Sequence, residues 1–193
     1  MAGQIAPKNL FDLRPDFKAM LLLARLKHRN AETIFGAIAD LLEHEGITLL
    51  PAVSFLDRFL AAPGVLCGSK LTRREESDVA FGFEMAKRVS ALDIGQTIVV
   101  KNGTVLAVEA FEGTNDAIKR GGLHARKGAV VVKVTKPNQD MRFDVPVIGV
   151  ETICAAALAQ ARVIAIEAGR TLLLEEDALF EAAKRAGITV VGR

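Results

Sequence analysis

Acids and bases gather in the second half of this chain, most densely over residues 129–149, AVVVKVTKPNQDMRFDVPVIG. Lys133, Lys136, Asp140, Arg142 and Asp144 fall within twelve residues there, with Pro137 and Pro146 on either side of the acidic pair. Two carboxylates four apart, Asp140 and Asp144, with Glu112 from another loop, suit one Mg²⁺, which takes oxygen ligands and keeps several waters. Lys133, Lys136, Arg142 and Arg170 suit phosphate oxygens, arginine through its planar fork and lysine as a point charge. Together these types are the equipment of phosphoryl chemistry, in which a metal stabilises charge and activates water. The same residues also make a solvated loop whose opposite charges pair. Residue type and spacing leave both readings open.

Other candidates fail sooner. The three histidines, His28, His44 and His124, form neither a metal pair nor a nucleophile–base pair at readable spacing. Cys67 and Cys154 are far apart and fit no metal spacing; Cys154 reads as a small core residue on an apolar helix face. Gly121, Gly122 and Gly128 match neither a P-loop nor a dinucleotide fingerprint. Thr114 and Asn115 sit where a helix starts after Gly113; they suit capping, and such a helix start also accepts a phosphate.

The elements that must carry these residues are legible in part. The run Val130–Val134, broken only by Lys133, reads as a mostly buried strand, and the proline-flanked stretch after it as a shaped loop. Before it, Asn102-Gly103 between two apolar runs, 97–100 and 104–109, predicts a tight β-hairpin, because both turn residues must take positive φ. Thr72 and Glu75 match a capping box at the start of a helix running to about residue 92. After the charged loop the pattern predicts a small-residue helix over 149–161, strands over 162–166 and 171–174 with an acid–base turn at Glu167–Arg170 between them, a helix over 176–186, and a last strand over 188–191. Toward the N-terminus it predicts helices over 16–27 and 32–45, the second capped by Asn30, a short strand over 47–50, and a short helix over 55–61 capped by Ser54. Residues 66–71 read as a linker. The expected organisation is therefore α/β: a unit over 1–65, then a mixed-sheet domain over 66–193.

Composition bounds the partners. In 193 residues, Lys+Arg 25 against Asp+Glu 23 leave a net charge of +2, so charge gives no reason to bind nucleic acid. All ten aromatics are Phe, a poor supply of stacking platforms for bases. No apolar run approaches the roughly 18 residues of a membrane span, and the first residues lack the basic start and apolar core of a signal peptide. A cytoplasmic protein with reduced thiols is expected.

Three stretches, ALDIGQTIVVKNGTVLAVEAFEGTNDAI, VVVKVTKPNQDMRFDVPVIG and IAIEAGRTLLLE, occur in the order found in the C-terminal domain of the LpxI family. That resemblance covers about residues 66–193. MAGQIAPKNLFDLRPDF is similar to a stretch inside the family's N-terminal domain. The resemblance implies a partial Rossmann-like N-terminal unit followed by a catalytic domain. It implies a Mg²⁺-dependent pyrophosphatase of lipid A biosynthesis that hydrolyses UDP-2,3-diacylglucosamine to UMP and 2,3-diacylglucosamine 1-phosphate. It also implies a homodimer, cytoplasmic and peripheral to the inner membrane, that meets the inner leaflet transiently. Carried onto this chain, it makes Asp140 the first catalytic choice and Asp144 the second. Lys133, Lys136, Arg142, Thr114 and Arg170 become substrate-binding candidates, and Asp140, Glu112, Asp116 and Glu167 metal candidates. Two departures stand out. About seventy residues of an α/β half domain would precede this start in a full-length family member. The family pattern E-G-T-D is here Glu112-Gly113-Thr114-Asn115-Asp116, which moves Asp116 by one position. The alternative expectation is a truncated, non-catalytic domain that binds nucleotide-lipid or a protein partner.

Overall fold

The computed structural model describes residues 31–193, together with Phe17, Leu21, Ala24 and Leu26. It divides into two compact units, one of residues 1–54 and 140–144, the other of residues 55–139 and 145–193. The division lies ahead of the expected one at 65 and 66, and the segment with Asp140 and Asp144 groups with the first unit.

In the first unit, helix α1 spans Ala31–His44. Phe35, Ile38, Leu41 and Leu42 recur along it at helical spacing. Gly46, at φ 75°, ends it, with the Ile47 N–H returning to the Leu42 carbonyl at 2.9 Å. Phe35 stacks on Phe143, ring centroids 5.3 Å apart, and the Ala52 N–H donates to the Met141 carbonyl at 2.7 Å. Of the helix expected over 16–27, Phe17, Leu21 and Ala24 are helical; its other residues and the Asn30 cap lie outside the described residues. So do residues 1–16 of the expected Rossmann-like unit. Residues 47–50 are not a strand.

The second unit is a six-stranded mixed sheet with helices on both faces, which makes the chain α/β as expected. Its strands are β1 (Gly64–Cys67), β2 (Thr97–Lys101), β3 (Thr104–Val108), β4 (Ala129–Lys133), β6 (Ala161–Ile166) and β8 (Thr189–Gly192), in the order β1-β8-β6-β4-β2-β3. β4, β6 and β8 run parallel; β1, β2 and β3 each pair antiparallel to a neighbour. β5 (Val147–Ile148) and β7 (Leu172–Leu173) pair parallel in a separate ribbon.

Helix α2 (Arg73–Ala91) packs Val79 and Ala86 against one face, on Ile98, Val100, Val130, Val132 and Val163. Helices α3 (Thr114–Ala125), α4 (Val150–Leu158) and α5 (Glu176–Ala186) cover the other, where Ile118, Ile153 and Leu179 meet Val99, Val131 and Ile164. The alternation of strand side chains thus sends Val130 and Val132 one way and Val131 the other, all buried. Gly82 lets α2 approach closely: a Cβ there would come within 2.5 Å of Val132 Cγ2.

The capping box forms, with the Thr72 N–H on Glu75 Oε2 at 2.7 Å and the Glu75 N–H on Thr72 Oγ1 at 3.3 Å. The hairpin turns at Asn102 (φ 50°) and Gly103 (φ 69°). Asp78, 4% exposed, supports that turn from α2 by accepting the Asn102 and Gly103 N–H groups at 2.8 and 2.7 Å.

Four local expectations are corrected. Residues 64–67 form edge strand β1, so the stretch read as a linker begins inside the sheet. The short helix expected over 55–61 is a 3₁₀ turn, Asp57–Phe59, without a side-chain cap. The strand expected over 171–174 shrinks to β7 and leaves the main sheet. Cys154 is exposed, because the apolar face of α4 that meets the core is Ile153, Ala155 and Ala156.

Replacing the buried Asp78 with Ala removes the charged acceptor of two turn N–H groups and is expected to cost about 2 kcal/mol. Urea denaturation beside Glu84→Ala, which removes an exposed pair with Arg88, checks this; equal losses would remove the turn from Asp78's role.

Candidate functional site

In open α/β sheets, ligands bind beyond the carboxyl ends of the parallel strands. Here β4 ends at Lys133 and β6 at Ile166, and polar groups gather there from three elements. Thr135 follows β4 and Glu167 follows β6. The Thr135 N–H and hydroxyl both donate to Glu167 Oε2 at 2.7 Å. From α2, Lys87 Nζ donates toward the Thr135 carbonyl (3.0 Å), the Thr135 hydroxyl (3.1 Å) and Glu167 Oε1 and Oε2 (2.9 and 2.7 Å). From the turn after β6, Arg170 donates to Thr135 Oγ1 at 3.2 Å. Burial works to raise the Glu167 carboxyl, but the Lys87 ammonium and the two Thr135 donors outweigh it and hold the group below its ordinary range.

A second set lies at the same end of β4. Lys133 Nζ donates to Thr114 Oγ1 at 2.8 Å, and that hydroxyl donates to Glu109 Oε1 at 2.8 Å. Thr114 is the first residue of α3, so its hydroxyl and the lysine ammonium meet at the positive end of a helix. Thr97 Oγ1 stands 3.4 Å from Thr114 Oγ1. Lys136 pairs with Asp93, and its N–H donates to Gln139 Oε1 at 2.9 Å.

The second unit therefore brings Thr114 and Lys133 together, and separately Glu167 and Arg170. It does not gather the expected metal ligands. Glu112 pairs with Arg120, which holds its carboxyl low; Asp116 pairs with Lys119 at 3.0 Å; Glu167 is committed to Lys87 and Thr135. In the first unit, Arg142 holds Asp140 by Nε (3.0 and 3.2 Å), Nη2 (2.8 Å) and its own N–H (3.0 Å), while Nη1 reaches Glu43 at 3.0 Å. Those bonds keep the Asp140 carboxyl below the usual carboxylate range. The Asp144 N–H donates to the Asp140 carbonyl at 3.1 Å, so the two acids share one turn. Among the described residues, no group of three or more His, Cys, Asp or Glu is placed to hold a metal.

Sequence reasoning missed Lys87 and Thr135. Lys87 stands 48 residues before Thr135 and 80 before Glu167 in the chain, so no local pattern joins them. The available signal was a lysine next to Ala86 on the buried stripe of a long helix. A cavity of about 610 Å³ opens at the opposite end of the sheet, lined by Lys101, Asn102, Lys127, Gly128 and Arg162 among others, and is separate from these groups.

The chain matches the family model described as the LpxI C-terminal domain over residues 62–191 and that of the LpxI N-terminal domain over residues 1–59. It is 32% identical, over 202 aligned positions, to the protein of Caulobacter vibrioides named UDP-2,3-diacylglucosamine pyrophosphatase LpxI. That alignment covers 99% of this chain and 72% of the relative.

The lowered Glu167 carboxyl has a consequence for stability. On acidification the unfolded chain takes up this proton first, near the ordinary value of 4.5. The contribution of Glu167 is complete above that value and is lost as pH falls through the lower folded one. Thermal melting from pH 7 to pH 3 is therefore expected to show a steeper fall below about pH 4.5 in the wild type than in Glu167→Gln. Parallel curves would refute it.

Proposed function

This chain belongs to the LpxI family, and from that premise we propose that it hydrolyses UDP-2,3-diacylglucosamine to UMP and 2,3-diacylglucosamine 1-phosphate in lipid A synthesis. The observation that carries the reading is the match to both family domains together with 32% identity to a named pyrophosphatase along 99% of the chain.

Water adds to the α-phosphorus, the bond from that phosphorus to the bridging oxygen breaks, and the oxygen leaves on the lipid phosphate. Lys133, placed with Thr114 at the start of α3, supplies charge for a phosphate oxygen. Arg170, with one hydrogen bond to Thr135 and four further N–H donors, supplies a fork for another. Lys136 adds positive charge on the second unit and Arg142 on the first.

Asp140, held ionised by Arg142, is a weak base. That favours a role as an oxygen ligand over one as a proton acceptor. A Mg²⁺ ion needs only one or two protein carboxylates, and Asp140 and Asp144, on one turn, fit that need. Glu112, Asp116 and Glu167 are each paired with a cation, as Asp140 is with Arg142; what favours Asp140 is Asp144 in the same turn. Bound there, Mg²⁺ would supply neutralising charge for the diphosphate.

No described helix is long and apolar enough to cross a membrane. A substrate with two acyl chains then calls for transient contact with the inner leaflet from a cytoplasmic protein. The family reading adds a homodimer.

The test is UMP release from UDP-2,3-diacylglucosamine with Mg²⁺ and with a chelator. We expect release that the chelator suppresses, and about a hundredfold or greater loss of kcat in Asp140→Ala with the fold retained by circular dichroism. Binding of the nucleotide-lipid without UMP release would overturn the hydrolase reading. Wild-type turnover in Asp140→Ala would remove that residue from the chemistry.

A further inference from the structure

We propose that Lys87 and Glu167 are a positioning pair that sets the Thr135 hydroxyl and, through it, the Arg170 guanidinium, without touching substrate. The proposal rests on the reading of these strand ends as the phosphate side of a hydrolytic site.

The argument is a count of donors and acceptors. An ammonium has three N–H donors, and Lys87 Nζ faces three acceptor groups: the Thr135 carbonyl, the Thr135 hydroxyl and the Glu167 carboxylate. Although its side chain is 35% exposed, Lys87 keeps no donor for a phosphate. Neither Lys87 nor Arg170 can accept a hydrogen bond, so Thr135 Oγ1 must accept from both. Its single proton then has one destination, Glu167 Oε2, at 2.7 Å. Every valence of that hydroxyl is fixed.

Arg170 is the open end of the chain. It gives one donor to Thr135 and retains four. The charges of Lys87 and Glu167 cancel, so the network presents Arg170 as its net positive charge. Lys87 has one more consequence by its presence: it occupies the carboxylate that Arg170 would otherwise seek. Without the ammonium, Glu167 is left with only the two Thr135 donors, and a guanidinium already on Thr135 Oγ1 is a cation able to replace it.

Lys87→Met is therefore expected to turn Arg170 toward Glu167 and away from the phosphate position. A misplaced charge loses contacts that matter in the transition state. The expected result is about a tenfold to hundredfold fall in kcat with KM within about twofold, measured well below the melting temperature of each variant. Lys87→Met/Glu167→Gln removes the competing carboxylate and should recover part of that fall. A direct substrate contact would instead raise KM at unchanged kcat, and a purely structural lysine would lower melting while leaving both constants intact. Either result overturns the proposal.

The Arg170 guanidinium ¹⁵N signals, assigned with Arg170→Lys, give a readout independent of turnover. They should shift in Lys87→Met and move back toward the wild-type position in the double variant. If the wild type releases no UMP, the hydrolase reading fails alone; unmoved Arg170 signals in Lys87→Met defeat the positioning pair.

Discussion

Strand β4 is the constraint on which the second unit depends. It pairs parallel to β6 and antiparallel to β2, and Val130, Val131 and Val132 are buried with no face left to solvent. Such a strand demands a helix on each side, and α2 and α3 meet that demand. Its direction then decides where polar residues go. A chain leaving a doubly covered strand emerges at the sheet's carboxyl end, and Lys133 and Thr135 stand at that exit. Thr135 and Glu167, just past the ends of adjacent parallel strands, come side by side because β4 and β6 are in register, with Lys133 opposite Ile166. The hydrogen bonds between them are thus a consequence of valine burial that ends three residues earlier, at Val132.

The polar groups at this exit are high-stakes in both directions. A half-buried carboxylate such as Glu167 is destabilising unless it is paired and hydrogen-bonded. Here it accepts from an ammonium, an amide and a hydroxyl. Fully satisfied networks of this kind specify one arrangement, and their members polarise one another in a site of low dielectric. The neighbouring Lys133–Thr114–Glu109 set repeats the same logic on the other side of β4: a lysine gives to a threonine hydroxyl, and that hydroxyl gives to a glutamate. Two such sets at one strand end hold Lys133 and Arg170 in defined places.

What the sequence made legible follows the range of each signal. The Asn102-Gly103 turn and the Thr72–Glu75 box are fixed within four residues of chain, and both form as read. The burial of β4 is visible in the valine run Val130–Val132. Edge strand β1 is not, because it offers no such run; only its antiparallel partner β8 makes Gly64–Cys67 a strand. Strands β5 and β7, two residues each, exist through each other. The same divide runs through the site. Asp140 and Arg142, two apart, were picked out by spacing and do pair. Lys87 was missed since its meaning lies wholly in residues far along the chain. Glu167 reads from the sequence as an acid fit for a metal, and its ammonium partner lies 80 residues away, beyond any local pattern.

Gly82 gives helix α2 a second significance. The helix rests on the sheet with no side chain between Gly82 and Val132, and five residues further on the same rigid rod delivers the Lys87 ammonium to three acceptors. The thickness of the layer between helix and strand is therefore the ruler by which the lysine's reach is measured. Any group added at the closest point of contact lifts the rod, and tolerances of a few tenths of an ångström separate a hydrogen bond from a gap. Core packing and polar geometry are, along α2, a single variable.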